Sequence, residues 1–246
     1  MTDDLWLRRY HPVDDAAVRL VCLPHAGGSA SFFHPLAKAV APAADVVAVQ
    51  YPGRQDRLAE QPLNSVEEIA DGVTQALLPW LDLPVVLFGH SMGATIAYEV
   101  ALRLEARGTR PRAVLVSGRR APSRHVEKTV HLRDDDGLLA ELERLDGTDV
   151  RVLQNSEMRD LILPALRADY TAVETYREDG SGPLTAPIHA HTGTEDPDAP
   201  VHDVQAWAAH TTGEFTLDTY PGGHFYLTDQ IAELAAAVRR QIAARR

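Results

Sequence analysis

Gly89-His90-Ser91-Met92-Gly93 stands between an apolar run, Leu83 to Phe88, and a helical pattern from Ala94 to Arg107. Strand, tight turn and helix form the setting in which a G-x-S-x-G stretch lifts a serine hydroxyl clear of a sheet. A serine hydroxyl is a poor nucleophile at neutral pH and must be held where a base can reach it. The turn that does so is strained, and flanking glycines leave room where side chains would clash. The helix behind it turns free backbone N–H groups and its positive dipole end toward any anion forming beside the serine. Taken alone, the same stretch also suits a glycine turn with a buried or capping serine. The rest of the chain has to supply the partners.

Outward from this turn, short apolar runs alternate with helical patterns. Arg19 to Pro24, Asp45 to Tyr51, Ala113 to Ser117, Ile188 to Thr192 and Phe215 to Tyr220 read as further strands. Asp45 to Tyr51 is Val-rich and lacks strict alternation, as expected of a strand covered on both faces. Helices are expected over 31–41, from the capping box Ser65-Val66-Glu67-Glu68 to Trp80, over 201–210, and over 228–245. This order implies an α/β fold, a mostly parallel sheet with helices on both faces. From Ser123 to Pro183 strand-like runs disappear, and helices are expected over 136–145 and 156–176, with Pro164 breaking or kinking the second. The expectation is one domain, 1–246, with 123–183 as a helical insertion. Active loops in such sheets lie at the C-terminal ends of the strands, where the marked loops fall.

A chain of 246 residues, 45% hydrophobic and 24% charged, is long enough for one large domain with a substantial core. Its formal net charge of −11 argues against nucleic-acid or anionic-membrane binding, because the long-range field repels both. No run reaches the length of a membrane span, and Met1-Thr2-Asp3-Asp4 is acidic, unlike a secretion signal. The lone Cys22 rules out an internal disulfide framework. These features set the expectation of a cytoplasmic monomer.

If Ser91 is a nucleophile, it needs a base, and the base needs an orienting acid. Among eleven histidines, His224 is the best placed, just after the last strand and beside Phe225-Tyr226. His202 and His210 fall on an expected helix and read as surface residues. Asp196, after the strand 188–192, completes the chain order Ser, Asp, His, with Glu195 as its close rival. Asp196 could also merely cap the helix after Pro197. An oxyanion hole needs two backbone N–H groups. Position points to Met92, after the serine, and Ala26, in the loop His25-Ala26-Gly27-Gly28. His189 and His191 face one side of a strand, but no further ligand spacing supports a metal, and none is expected. Cys22, inside an apolar strand, reads as inert packing.

With these residues in hand, the sequence resembles the type II thioesterases that accompany polyketide and nonribosomal peptide synthases. The likeness spans nearly the whole chain. It rests on 23–28 (LPHAGG), 51–57 (YPGRQDR), 89–93 (GHSMG), 117–122 (SGRRAP), 163–170 (LPALRADY) and 222–225 (GGHF). The resemblance implies the α/β-hydrolase fold, with the family's serine on Ser91, aspartate on Asp196 and histidine on His224. One departure is Thr194, where similar proteins often carry an aspartate. The implied substrate is an acyl group on the phosphopantetheine of an acyl or peptidyl carrier protein, hydrolysed for editing, the family's usual role, or for release. No cofactor is implied beyond the arm the substrate carries. The insertion 123–183 becomes a lid, with Leu138, Leu139, Leu142, Leu161, Ile162 and Leu166 dividing between its own packing and an acyl channel. Arg119, Arg120 and Arg124, with no acid among them, are expected to face the carrier. Arg54 and Arg57 divide between that role and internal ion pairs with neighbours such as Asp56. The competing readings are a lipase or carboxylesterase with the same triad, a peptidase, and a non-catalytic binding module on this fold.

Overall fold

The computed structural model describes residues 5–145 and 156–243. Seven strands form one sheet: β1 (Leu7–Arg9), β2 (Arg19–Leu23), β3 (Asp45–Val49), β4 (Val85–His90), β5 (Ala113–Ser117), β6 (Ile188–Gly193) and β7 (Phe215–Tyr220). Their order is β1-β3-β2-β4-β5-β6-β7. All neighbours are parallel except the edge pair β1 and β3, where Leu7 pairs with Val49. β1 is absent from the pattern reading, and the reason is physical. Two of its three residues are arginines, and the strand is held by long-range pairs, Arg9 to Asp45 at 2.6 Å and Arg8 to Asp56.

Successive strand residues enter opposite cores, as the two-residue period requires. Val21 and Leu23 pack with α2 (Val66–Leu77) and α3 (Met92–Ala106). Leu20 and Cys22 pack with α1 (His34–Val40) and the C-terminal helix over Ile231–Ala243. Strands β2 to β5 are therefore buried on both faces and show no polar alternation, while the edge strand β7 alternates and is only partly buried. Ser65 caps α2 by accepting the Glu68 N–H, as the capping box predicts. The expected closing helix 228–245 is instead two, with a break at Gln230.

Within the expected insertion lie α4 (Asp135–Arg144) and α5 (Ser156–Thr175), which share a third apolar cluster of Val130, Leu138, Leu139, Leu142, Leu163, Leu166 and Tyr170. Pro164 does not break α5, which runs through it as one helix. The proline is exposed, so the hydrogen bond it cannot make lies on the wet side of the helix. Ala26, in the loop after β2, packs against both this cluster and the body of the domain. Three shorter helices follow α5: α6 (Val201–Gln205), α7 (Tyr226–Asp229) and α8 (Ile231–Ala243).

Candidate active site

The serine turn is built by contacts too close for side chains. A Cβ at Gly89 would lie 2.0 Å from the Gly93 carbonyl oxygen, and one at Gly93 would lie 2.0 Å from that of Leu23. The two glycines thus let α3 start directly against β4 and β2. Ser91 between them sits at φ 53° and ψ −117°, a strained conformation for a residue with a side chain. Its N–H is held by the Ser117 carbonyl at 2.8 Å, which fixes the turn to β5.

The residues predicted from three separate loops meet here. His224 Nε2 lies 3.0 Å from Ser91 Oγ, and His224 Nδ1 lies 2.8 Å from Asp196 Oδ2. A carboxylate facing the imidazole only accepts, so Nδ1 carries the proton and Nε2 is left to accept from the serine. The other Asp196 oxygen accepts the N–H groups of Asp198 at 2.8 Å and Ala199 at 3.1 Å. Both carboxylate oxygens are therefore committed, and the side chain is buried. Glu195, its rival, is exposed and stands outside this chain of hydrogen bonds. Among the described residues, the N–H groups of Ala26 and Met92 donate to no protein acceptor, and both residues wall the pocket that holds Ser91 and His224.

Two further imidazoles lie close to His224. His25 and His90 lie 5.9 Å apart, and His90 lies 5.1 Å from His224. Burial holds the pKa of His25 down to about 3, with the neighbouring His224 adding to the effect. Burial likewise holds His90 well below the usual imidazole range. Both rings stay neutral at pH 7, so neither competes for the proton that His224 would carry. His25 packs edge-on against Phe32 and Phe225, a loop-shaping role. His191, on β6 in register with Ser117, is also held to about 3 by burial. His189 and His191 are engaged by Thr216 and Tyr220. Burial also raises the Cys22 thiol, in keeping with inert packing.

These buried histidines give stability a definite pH dependence. The unfolded chain takes up their protons below about 6.5, whereas the folded chain refuses them down to about 3. Their contribution is complete above pH 6.5 and is lost progressively as the pH falls toward 3, at most about 1.4 kcal/mol per unit for each ring. Thermal melts from pH 7 to 4.5 should show this decline, and His191→Gln should make it shallower. An unchanged slope in that variant would remove His191 from the account.

The helical segment contributes Leu142, Leu145, Tyr170 and Val173 to the pocket wall. Of the six apolar residues singled out from sequence, Leu142 alone lines it. Leu138, Leu139 and Leu166 pack inside the helical cluster, Ile162 packs half-buried against it, and Leu161 is exposed. Leu145, Tyr170 and Val173 were missed because a helical period marks a buried face without saying which neighbour buries it.

The arginine reading needs correction. Arg120 pairs with Asp203 at 3.2 Å and donates twice to the Asp198 backbone carbonyl, so one acid from a distant segment neutralises it. Arg119 turns inward to Thr95 and the Val173 carbonyl and lines the pocket, with burial and nearby Arg120 lowering its pKa to about 10. Arg124 alone of the three is exposed. Arg57 pairs with Glu60, while Arg54 pairs with Asp169 in the interior, so neither uses Asp56.

Residues 18–242 match the model of the thioesterase domain family. The chain is 53% identical over 232 residues to the thioesterase PikA5 of Streptomyces venezuelae, covering 94% of this chain and 83% of that protein. The solved type II thioesterase BorB from the borrelidin biosynthetic cluster superposes with a TM-score of 0.92 at 48% identity, covering 98% of this chain and 99% of that one. YbtT, a type II thioesterase from the yersiniabactin NRPS/PKS biosynthetic pathway, superposes with a TM-score of 0.89 at 31% identity, covering 96% and 98%.

Proposed function

The chain belongs to the thioesterase family, a hydrolase of α/β-hydrolase fold on the type II branch, and from that premise we propose that it hydrolyses acyl groups from the phosphopantetheine arm of acyl or peptidyl carrier proteins. Ser91 is the nucleophile, His224 the base and Asp196 the orienting acid. The observation that carries this reading is the hydrogen-bonded line Ser91 Oγ, His224 Nε2, His224 Nδ1, Asp196 Oδ2 at the foot of one pocket.

Ser91 Oγ adds to the thioester carbonyl carbon as its proton passes to His224 Nε2. The carbonyl oxygen takes the negative charge and accepts from the N–H groups of Ala26 and Met92, the second of which opens α3 and brings its dipole to bear. Collapse breaks the carbon–sulfur bond, and His224 returns its proton to the departing thiol. Water, deprotonated by His224, then repeats the addition on the acyl-serine, releasing the free acid and restoring Ser91. Every step runs on side chains and backbone, with no cofactor.

The enzyme acts as a single domain, a cytoplasmic monomer, with the segment 123–183 as a lid over the acyl channel. Among the described residues no helix is long and apolar enough to cross a membrane. The pathway named for YbtT supports a role beside such a synthase, where hydrolysis clears stalled acyl groups. The test is a panel of acyl-loaded carrier proteins set against matched free thioesters and oxygen esters. Carrier-bound thioesters should be the best substrates by kcat/KM. A preference for oxygen esters would make the protein a carboxylesterase instead.

The same panel tests the channel. Leu142→Phe or Val173→Phe narrows the wall facing Ser91, so long acyl chains should lose rate relative to short ones by roughly tenfold, the scale of a methylene or two in an apolar pocket. Leu161→Phe, on the exposed face of α5, should change nothing. Parallel losses for all chain lengths would place the acyl group elsewhere.

A further inference from the structure

The loop that carries Ala26 is a four-residue turn, His25-Ala26-Gly27-Gly28, closed by the Gly28 N–H on the His25 carbonyl at 2.9 Å. Its third residue, Gly27, has φ +73°, the conformation of a type II turn. Types I and II differ by a flip of the central peptide, here the one joining Ala26 to Gly27. That peptide does not hold itself. Its N–H donates to Asp169 Oδ2 at 2.7 Å, a side chain reaching from α5, 142 residues further along.

Asp169 is in turn fixed. It is fully buried, and Arg54 grips both of its oxygens at 2.7 and 2.9 Å. Arg54 also donates to the Gly28 carbonyl at 3.1 Å, so the ion pair holds the turn at two consecutive residues. Leu166, one helical turn before Asp169, closes the packing, with its Cδ1 only 3.0 Å from where a Gly27 Cβ would stand. A buried pair of this kind adds little stability over two apolar side chains of the same size. What it adds here is aim. Flipping the central peptide would break a charge-assisted hydrogen bond and turn the Ala26 carbonyl toward a carboxylate.

We propose that Asp169 is a positioning residue: by accepting the Gly27 N–H while its partner Arg54 holds the Gly28 carbonyl, it anchors the turn whose preceding peptide carries the Ala26 N–H, and so makes the placing of that oxyanion donor depend on the seating of α5. The proposal rests on the reading of Ser91 as nucleophile and Ala26 as oxyanion donor. Its consequence is that a displaced helical segment also dismantles the oxyanion hole, so acylation waits for that segment to settle.

The test compares Arg54→Gln/Asp169→Asn with Arg54→Gln/Asp169→Ala. Both remove the ion pair without stranding a charge, but only the first keeps an acceptor for the Gly27 N–H. The acceptor-free variant should lose about tenfold to a hundredfold more kcat, the scale of a misaimed catalytic group, with KM changing by less than about threefold. Arg54→Met/Asp169→Leu, which refills the space without an acceptor, should match the alanine variant and guards against loss through a cavity or failed folding. A trifluoromethyl ketone, whose adduct with serine bears the oxyanion, should lose affinity in step with kcat/KM, while an inert thioether analogue of the substrate should bind all variants alike. Equal kcat with and without the acceptor, in variants with comparable Tm, would overturn the proposal. Fluorophosphonate labelling of the unaltered enzyme separates the two layers. Without labelling at Ser91 the underlying reading fails, whereas labelling with equal kcat among the variants sinks the positioning role alone.

Discussion

Ser91→Ala should lower thioester hydrolysis by roughly 10⁴- to 10⁶-fold while leaving the fold intact, the range seen when a triad nucleophile is removed. The chemical half of this expectation follows from geometry. Ser91 Oγ is the atom presented to His224 Nε2, at 3.0 Å. Cys22 is fully buried in β2 with its thiol pKa raised, so it offers no substitute nucleophile. The structural half follows from the turn. Alanine keeps the Cβ and the backbone N–H to Ser117, so the strain at φ 53° is neither relieved nor increased. His224 loses one partner on the pocket side, where water can replace it. Steady-state rates with a thermal melt on the same sample check both halves, and a variant retaining near-normal turnover would dispose of the mechanism.

Asp196→Asn should cost about 10³- to 10⁴-fold in kcat, by misassigning a proton. Asp196 Oδ1 receives two backbone N–H groups, from Asp198 and Ala199, and an amide at this position must keep its oxygen there. Its NH₂ then faces His224 Nδ1 and donates to it, which moves the ring proton to Nε2. An imidazole in that state points a donor at Ser91 and cannot take its proton. Glu195→Gln should change kcat by less than about threefold, since Glu195 is exposed and a solvated carboxylate contributes little. The reverse ranking would transfer the acid's role to Glu195.

The parts of this site legible in the sequence are those that local patterns encode. G-x-S-x-G needs two glycines because two backbones pass within contact distance, and the requirement falls on positions only four apart in the chain. Strand ends followed by small residues mark the loops bearing Ala26, Asp196 and His224. The resemblance places the family's aspartate on Asp196 but leaves Glu195 as a rival, because both follow β6; in the structure Asp196 turns inward to His224 and Glu195 is exposed. The illegible parts are contacts between distant segments. Arg54 and Asp169 are 115 positions apart, each beside other charged residues, and nothing local says they meet in the interior. The same holds for Arg120 and Asp203, whose pairing undid the expectation of a free cationic patch. β1 escaped for a related reason, since a strand of three residues with two arginines carries no apolar pattern and is held by acids on other elements.

Rapid-quench mass spectrometry of the enzyme mixed with an acyl-loaded carrier protein bears most directly on the proposed chemistry. The acyl mass should appear on the peptide containing Ser91, form at least as fast as product accumulates, and be absent from Ser91→Ala. An acyl group on any other peptide, or product release by Ser91→Ala at the wild-type rate, would contradict it.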